Sequence, residues 1–168
     1  MSSDAAQRAF IDRIDRHRGI LFKVAAAYCL NLSDREDLIQ ETVAQLWRAY
    51  RAFDGRSSFS TWMYRIALNV AIGSLRKETR NRRTVGPAEM AFLEQIPEPQ
   101  SEEDERLSLL RTLIANLPPL DRALMLLYLD DYAYAEIAAM LGISESNVGT
   151  KIARIKERFR RHAQLIVT

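Results

Sequence analysis

From Gly86 to Glu105 the chain has no basic residue, carries Pro87, Pro97 and Pro99, and gathers Glu89, Glu94, Glu98, Glu102, Glu103, Asp104 and Glu105. Proline removes a backbone donor and holds the residue before it in extended conformations, so the second half of this stretch resists regular structure. We read 85–105 as an extended acidic linker. Each flank must then close its own core, and 168 residues suffice for two small domains, expected over 1–84 and 106–168. On composition alone such a stretch is a solvated spacer.

Both flanks read as helix. Neither shows sustained period-two alternation or an Asn-Gly hairpin turn. A first helix is expected over Phe10–Leu30, with Phe10, Ile14, Leu21, Val24 and Tyr28 at helical spacing. Ser33 and Glu36 have capping-box spacing, and the helix they open puts Ile39, Val43, Leu46, Trp47 and Tyr50 on one face. Asp54-Gly55 breaks the chain before a third helix, Thr61–Arg80, with Trp62, Ile66, Val70 and Leu75 inward. Ser101 with Asp104 caps a fourth helix over 102–116, and Pro118-Pro119 ends it and opens a fifth to Leu129. The expected fold is all-α: two small helical domains, a helical bundle and a helix-turn-helix, joined by the acidic linker.

The last segment carries the most specific local pattern. Tyr134–Leu141 is a short amphipathic helix, and Gly142 suits the left-handed turn that follows. Ser144 then caps a longer helix with Val148, Ile152, Ile155 and Phe159 inward. Ala138 is small where the two helices must approach. This is a helix-turn-helix, and its second helix leaves Asn147, Thr150, Lys151, Arg154 and Arg158 outward. Such side chains can hydrogen-bond base edges and neutralise phosphates in a major groove. The plain alternative is an αα corner with a solvated charged face.

The formal net charge of +2 conceals the placement of charge. Arg76, Lys77, Arg80, Arg82 and Arg83 form one basic cluster; Lys151, Arg154, Lys156, Arg158, Arg160 and Arg161 form another. The acidic stretch separates them, a pattern that points to nucleic-acid contact in the two basic parts.

Other function classes find little support. His17 and His162 are far apart in sequence and have no partners at metal-ligand spacing, so no metal or cofactor is expected. There is no phosphate-cradling glycine loop and no nucleophile elbow, and we expect no enzymatic activity. No apolar run reaches the roughly 20 residues a membrane span needs, and the N-terminal residues lack a signal-peptide plan. A cytoplasmic protein is expected. Cys29, the single cysteine, lies in the apolar stretch 24–30 and reads as a small core residue.

Two segments carry a family resemblance. DREDLIQETVAQLWRAYRAF (34–53) followed by FSTWMYRIALNVAIGSLRK (59–77) resembles the second conserved region of extracytoplasmic-function sigma factors. LPPLDRALMLLYLDDYAYAEIAAMLGISESNVGTKIARIKERF (117–159) resembles their fourth. The resemblance implies a factor that binds core RNA polymerase and directs it to promoter DNA. It places Asp37, Gln40, Glu41 and Gln45 on a helix that docks on the polymerase clamp. It places Phe53 and Asn69 at a pocket for a base of the unpaired minus-ten strand. The loop residues Asp54, Arg56, Ser57 and Ser58 lie beside that pocket, and Arg65, Arg76 and Lys77 serve as phosphate contacts.

Phe59 reads equally as core or DNA-facing, while Trp62, on the apolar stripe, reads as core. Asn147, Thr150, Lys151, Arg154 and Arg158 would then meet the minus-thirty-five duplex. Gly149 and Ala153 depart from the family, which often has longer side chains there. The linker would thread towards the polymerase RNA channel, and an anti-sigma factor is an expected partner. The alternative is a stand-alone helix-turn-helix regulator, which would bind duplex tightly by itself, usually as a dimer. An adaptor that binds polymerase without reading DNA is a third reading.

Overall fold

The computed structural model describes residues 3–85 and 100–167, and all of its regular structure there is helical. Chain contacts divide it into two compact units, Met1–Gln95 and Ile96–Thr168. The expected linker lies largely at 86–99, outside the described residues, as do the side chains of Arg82 and Arg83. Its acidic end is not linker: Ser101 Oγ accepts the Asp104 amide at 3.1 Å, and a helix opens at Glu102. Glu102 to Glu105 therefore form a first helical turn, where carboxylates complement the unsatisfied amides.

The N-terminal unit is built from α1 (Ser3–Arg16), α2 (Arg18–Tyr28), α3 (Leu32–Ala49) and α4 (Phe59–Val85), with a short 3-10 turn at Tyr50–Ala52. The first expected helix is thus two. The chain breaks at His17, whose φ of −117° and ψ of 14° leave the helical region. The break lets Phe10 and Ile14 of α1 and Leu21, Val24, Ala25 and Tyr28 of α2 all be buried. Phe10 packs its ring 5.0 Å from Trp47 and 5.1 Å from Tyr50.

Two expected faces are rotated. The cap of α3 is Asn31, not Ser33: its Oδ1 accepts the Asp34 amide at 2.7 Å, and its Nδ2 donates to the Asp34 carboxylate at 2.9 Å. Asn caps as well as Ser does, and the earlier start leaves Ser33 inside the first turn. Leu38, Thr42 and Leu46 are the buried row of α3, with the Thr42 hydroxyl satisfied by the Leu38 carbonyl at 2.7 Å. In α4 the buried residues are Met63, Tyr64, Ala67, Leu68, Ala71 and Ile72, whereas Trp62, Ile66, Val70 and Leu75 are half-buried at the flank. Ser58 starts this helix, accepting the Thr61 amide at 3.1 Å. Cys29 is half-buried rather than core, and its carbonyl accepts Arg35 Nε at 3.1 Å.

The C-terminal unit comprises α5 (Glu102–Ala115), α6 (Pro119–Leu129), α7 (Tyr134–Leu141) and α8 (Glu145–Val167). Ile114, Leu117, Met125 and Ile155 bury together, with Leu110, Tyr128 and Phe159 against them. Arg122, itself buried, donates through Nη2 to the carbonyls of Ala115 (2.7 Å) and Leu117 (2.9 Å), satisfying groups that the end of α5 leaves open.

Candidate nucleic-acid interface

The helix-turn-helix takes the expected shape. Gly142 has φ +68°, and both its amide and that of Ile143 donate to the Ala138 carbonyl, at 2.9 and 3.2 Å. A side chain in that left-handed conformation costs roughly 1–2 kcal/mol, which is why glycine serves here. Glu136 accepts the Ala133 amide at 2.9 Å to start α7, and Ser144 Oγ accepts the Asn147 amide at 3.1 Å to start α8. Val148 and Ile152 are fully buried and Ile155 is nearly so. The stripe sets the rotation of α8, leaving Asn147, Thr150, Arg154 and Arg158 exposed.

Lys151 differs from these four. It lies at the edge of the buried stripe, half-buried, and its Nζ is 3.4 Å from Asp121 Oδ1 on α6. An amine tied to a carboxylate is partly neutralised before it meets a phosphate. The sequence signal for Asp121 was an acid in the first turn after Pro118-Pro119, which reads as a dipole partner and not as a brace for α8. Gly149 likewise has a neighbour: a Cβ added there would lie 3.5 Å from the Tyr134 ring of α7. That position on α8 is screened by Tyr134, while Lys156 sits 4.3 Å over the ring of Tyr128.

In the N-terminal unit the expected DNA-facing residues meet a connected set of rings. Phe53, at the end of the 3-10 turn, lies 5.7 Å from Phe59 edge-on and 4.9 Å from Trp62. Phe59 is 5.3 Å from Trp62. All three are half-buried, each with surface left to offer. Asn69 is exposed two helical turns, about 10 Å, beyond Trp62 on the same side of α4, and Arg65 and Arg76 share that sector. Lys77 is exposed on an adjoining face.

The loop is partly committed to itself. Asp54 accepts the Arg56 amide at 3.0 Å and pairs with its guanidinium at 3.1 Å, and Ser58 is the cap of α4. Gly55, with φ +76°, supplies the turn between them. Ser57 is exposed.

On α3, Asp37, Gln40 and Glu41 are exposed, and Gln45 donates to Glu41 at 3.0 Å. Beside them is a cleft of about 480 Å³ between α1 and α3, lined by Ile11, Ile39, Gln40, Val43, Ala44 and Trp47 among others. Ile39, Val43 and Trp47, expected inward, thus line an open apolar cleft adjoining the polar face. The rotated register of α3 is the cause.

A helix-turn-helix with a basic outer face, preceded in the chain by a helical unit that displays aromatic rings beside a cationic helix face, defines a two-domain DNA-binding factor. Residues 13–81 match the model for sigma-70 region 2, and residues 107–159 match the model for sigma-70 region 4. The chain belongs to the extracytoplasmic-function sigma factors of bacterial RNA polymerase, which direct polymerase to promoters.

Among its relatives, the ECF RNA polymerase sigma factor SigW of Bacillus subtilis is 28% identical over 166 residues, covering 92% of this chain and 89% of the relative. The ECF RNA polymerase sigma-E factor of Escherichia coli is 28% identical over 172 residues, covering 96% and 90%. SigG of Mycobacterium tuberculosis is 30% identical over 154 residues; the match covers 76% of this chain and 41% of that longer protein.

Two solved structures share the fold. One is the sigma factor RpoE in complex with the anti-sigma factor NepR from Bartonella quintana, with TM-score 0.75, 18% identity, and 94% and 98% of the two chains covered. The other is CnrH in complex with the cytosolic domain of CnrY, with TM-score 0.67, 24% identity, and 97% and 94% covered. The region 2 match disfavours the stand-alone regulator. No helix among the described residues is long and apolar enough to cross a membrane.

Proposed function

We propose that the two units divide promoter recognition between an unpaired strand and a duplex. The N-terminal unit binds the polymerase clamp through Asp37, Gln40, Glu41 and Gln45. It takes a base of the minus-ten strand against Phe53 and Asn69, with Arg65, Arg76 and Lys77 on phosphates and the 54–58 loop alongside. The C-terminal unit lays α8 in the major groove of the minus-thirty-five element, using Asn147, Thr150, Arg154 and Arg158, with Lys151 in a phosphate role modulated by Asp121. Phosphodiester chemistry belongs to polymerase, and the work is cytoplasmic. An anti-sigma factor holds the protein inactive, a reading supported by the company that both structural neighbours keep.

One observation carries this reading. The same chain displays half-buried rings beside a cationic helix face, suited to stacking bases, and a dry-backed polar helix, suited to groove edges. Run-off transcription with core polymerase, with and without this chain, tests it. Promoter-specific transcripts should appear only when the chain is added. Transcription indifferent to the chain, together with tight duplex binding by the chain alone, would establish a regulator instead.

A further inference from the structure

Arg13 stands on α1, outside every segment assigned to DNA above. Its guanidinium carbon lies 5.6 Å from the Phe59 ring centroid and 6.0 Å from those of Phe53 and Tyr50. Just past the end of α1, the His17 ring is 5.6 Å from Phe59. A cation over aromatic faces is held by the ring quadrupole, and arginine is the cation best shaped for it. A contact with its face consumes none of its five N–H donors, which lie in the guanidinium plane. Among the described residues the Arg13 side chain makes no hydrogen bond or ion pair, and it is exposed. The structure thus holds a cation with free donors beside the wall to which a turned-out base is assigned.

A base leaves its stack by rotation of its backbone, so the flanking phosphates approach the same wall. The rings supply stacking but no charge. In the loop, Arg56 is already paired to Asp54 at 3.1 Å. We propose that Arg13 is a strand-positioning residue. Planted on the Phe53–Phe59 wall, its guanidinium donates to a phosphate of the unpaired strand and holds the backbone in its turned-out form. The inference rests on the reading of Phe53 and Asn69 as a base pocket.

The test uses holoenzyme assembled from core polymerase and the full chain. The ligand is a forked fragment of a promoter that this holoenzyme transcribes, with the minus-ten strand unpaired, and binding is followed by fluorescence anisotropy across a salt titration. Arg13→Gln should weaken binding roughly 10- to 150-fold, as expected for a hydrogen bond to a charged group. The log–log salt slope should become shallower by about 0.7, the contribution of one single-strand phosphate. Arg13→Lys should keep the slope and restore part of the affinity. Arg13→Met, which keeps the stem on the rings, serves if Arg13→Gln lowers helical stability.

Asn69→Ala should weaken binding with the slope unchanged. A parental slope in the charge-removing variants overturns the role of Arg13 even if affinity falls, because a brace between rings adds no phosphate contact. If that parental slope accompanies an impaired Asn69→Ala, Arg13 alone is misassigned. If Asn69→Ala also binds as the parent does, the pocket reading falls with it.

Discussion

The N-terminal unit presents rings where the C-terminal unit presents donors. Phe53, Phe59 and Trp62 form a half-buried cluster beside α4, whereas the outer face of α8 is Asn147, Thr150, Arg154 and Arg158 over a fully buried Val148 and Ile152. In the proposed division of labour, the substrates explain the difference. A duplex hides base faces and exposes edges along a groove, so one rigid helix with long polar side chains reaches them. An unpaired strand offers base faces, and its capture needs aromatic surface that is neither sealed in a core nor left loose in solvent. On that proposal, the duplex reader depends on a dry stripe beneath it, and the strand reader on rings kept partly open.

That contrast can be broken at its strongest point first. Ile152 is fully buried beneath the outer face of α8, and Ile152→Ala should cost about 2–5 kcal/mol of the stability of the C-terminal unit. Thermal melting followed by circular dichroism measures it. A loss below 1 kcal/mol would show that α8 does not rest on this stripe.

Charge reversal on α3 probes the surface that neither unit offers to DNA. Asp37→Lys with Glu41→Lys, both exposed, should weaken core-polymerase binding about tenfold or more while leaving helical content unchanged. Pull-down at moderate salt checks this, and unaltered binding by the folded double variant would remove α3 from the clamp.

A smaller effect sharpens the account of α8. Asp121→Asn frees Lys151 from a partly exposed pair, so stability should fall by no more than about 1 kcal/mol. The freed amine should steepen the salt dependence of duplex binding. An unchanged slope would assign Lys151 to structure.

The two halves were not equally legible. In the C-terminal unit each signal was local: Pro118-Pro119, Gly142 and Ser144 mark turns and caps by their own backbone chemistry, and the observed α6 and α7 keep the expected bounds. The N-terminal unit depended on tertiary choices. The break at His17 has no proline beside it, and its cause is burial on both sides, which spacing alone does not reveal. Apolar residues cover a broad arc of α3 and α4, so two neighbouring rows fit the helical period. Thr42 concealed the true row because a hydroxyl satisfied by the Leu38 carbonyl looks polar in sequence.

Arg13 was hidden for a related reason. It lies in an alternating run of acids and bases that reads as a solvated face, and only folding brings Phe53 and Phe59 beneath it. The candidate pocket residues came from family resemblance. No local pattern distinguishes a base-stacking phenylalanine from a core one.

The division between strand reading and duplex reading is tested most directly by run-off transcription with Arg154→Ala and Asn69→Ala on two templates, an ordinary duplex promoter and the same promoter with a premelted minus-ten bubble. Arg154 is exposed on α8, so alanine should fold normally and lose about 1–3 kcal/mol of upstream recognition. The bubble should largely rescue it, because loading then depends less on the duplex element. Asn69→Ala should stay impaired on both templates, since its missing hydrogen bond is to a base already unpaired, and permanganate reactivity of the minus-ten thymines should fall on the duplex promoter. The account is contradicted if Arg154→Ala transcribes the duplex promoter at the parental rate across a salt titration, or if the bubble rescues Asn69→Ala and leaves Arg154→Ala defective.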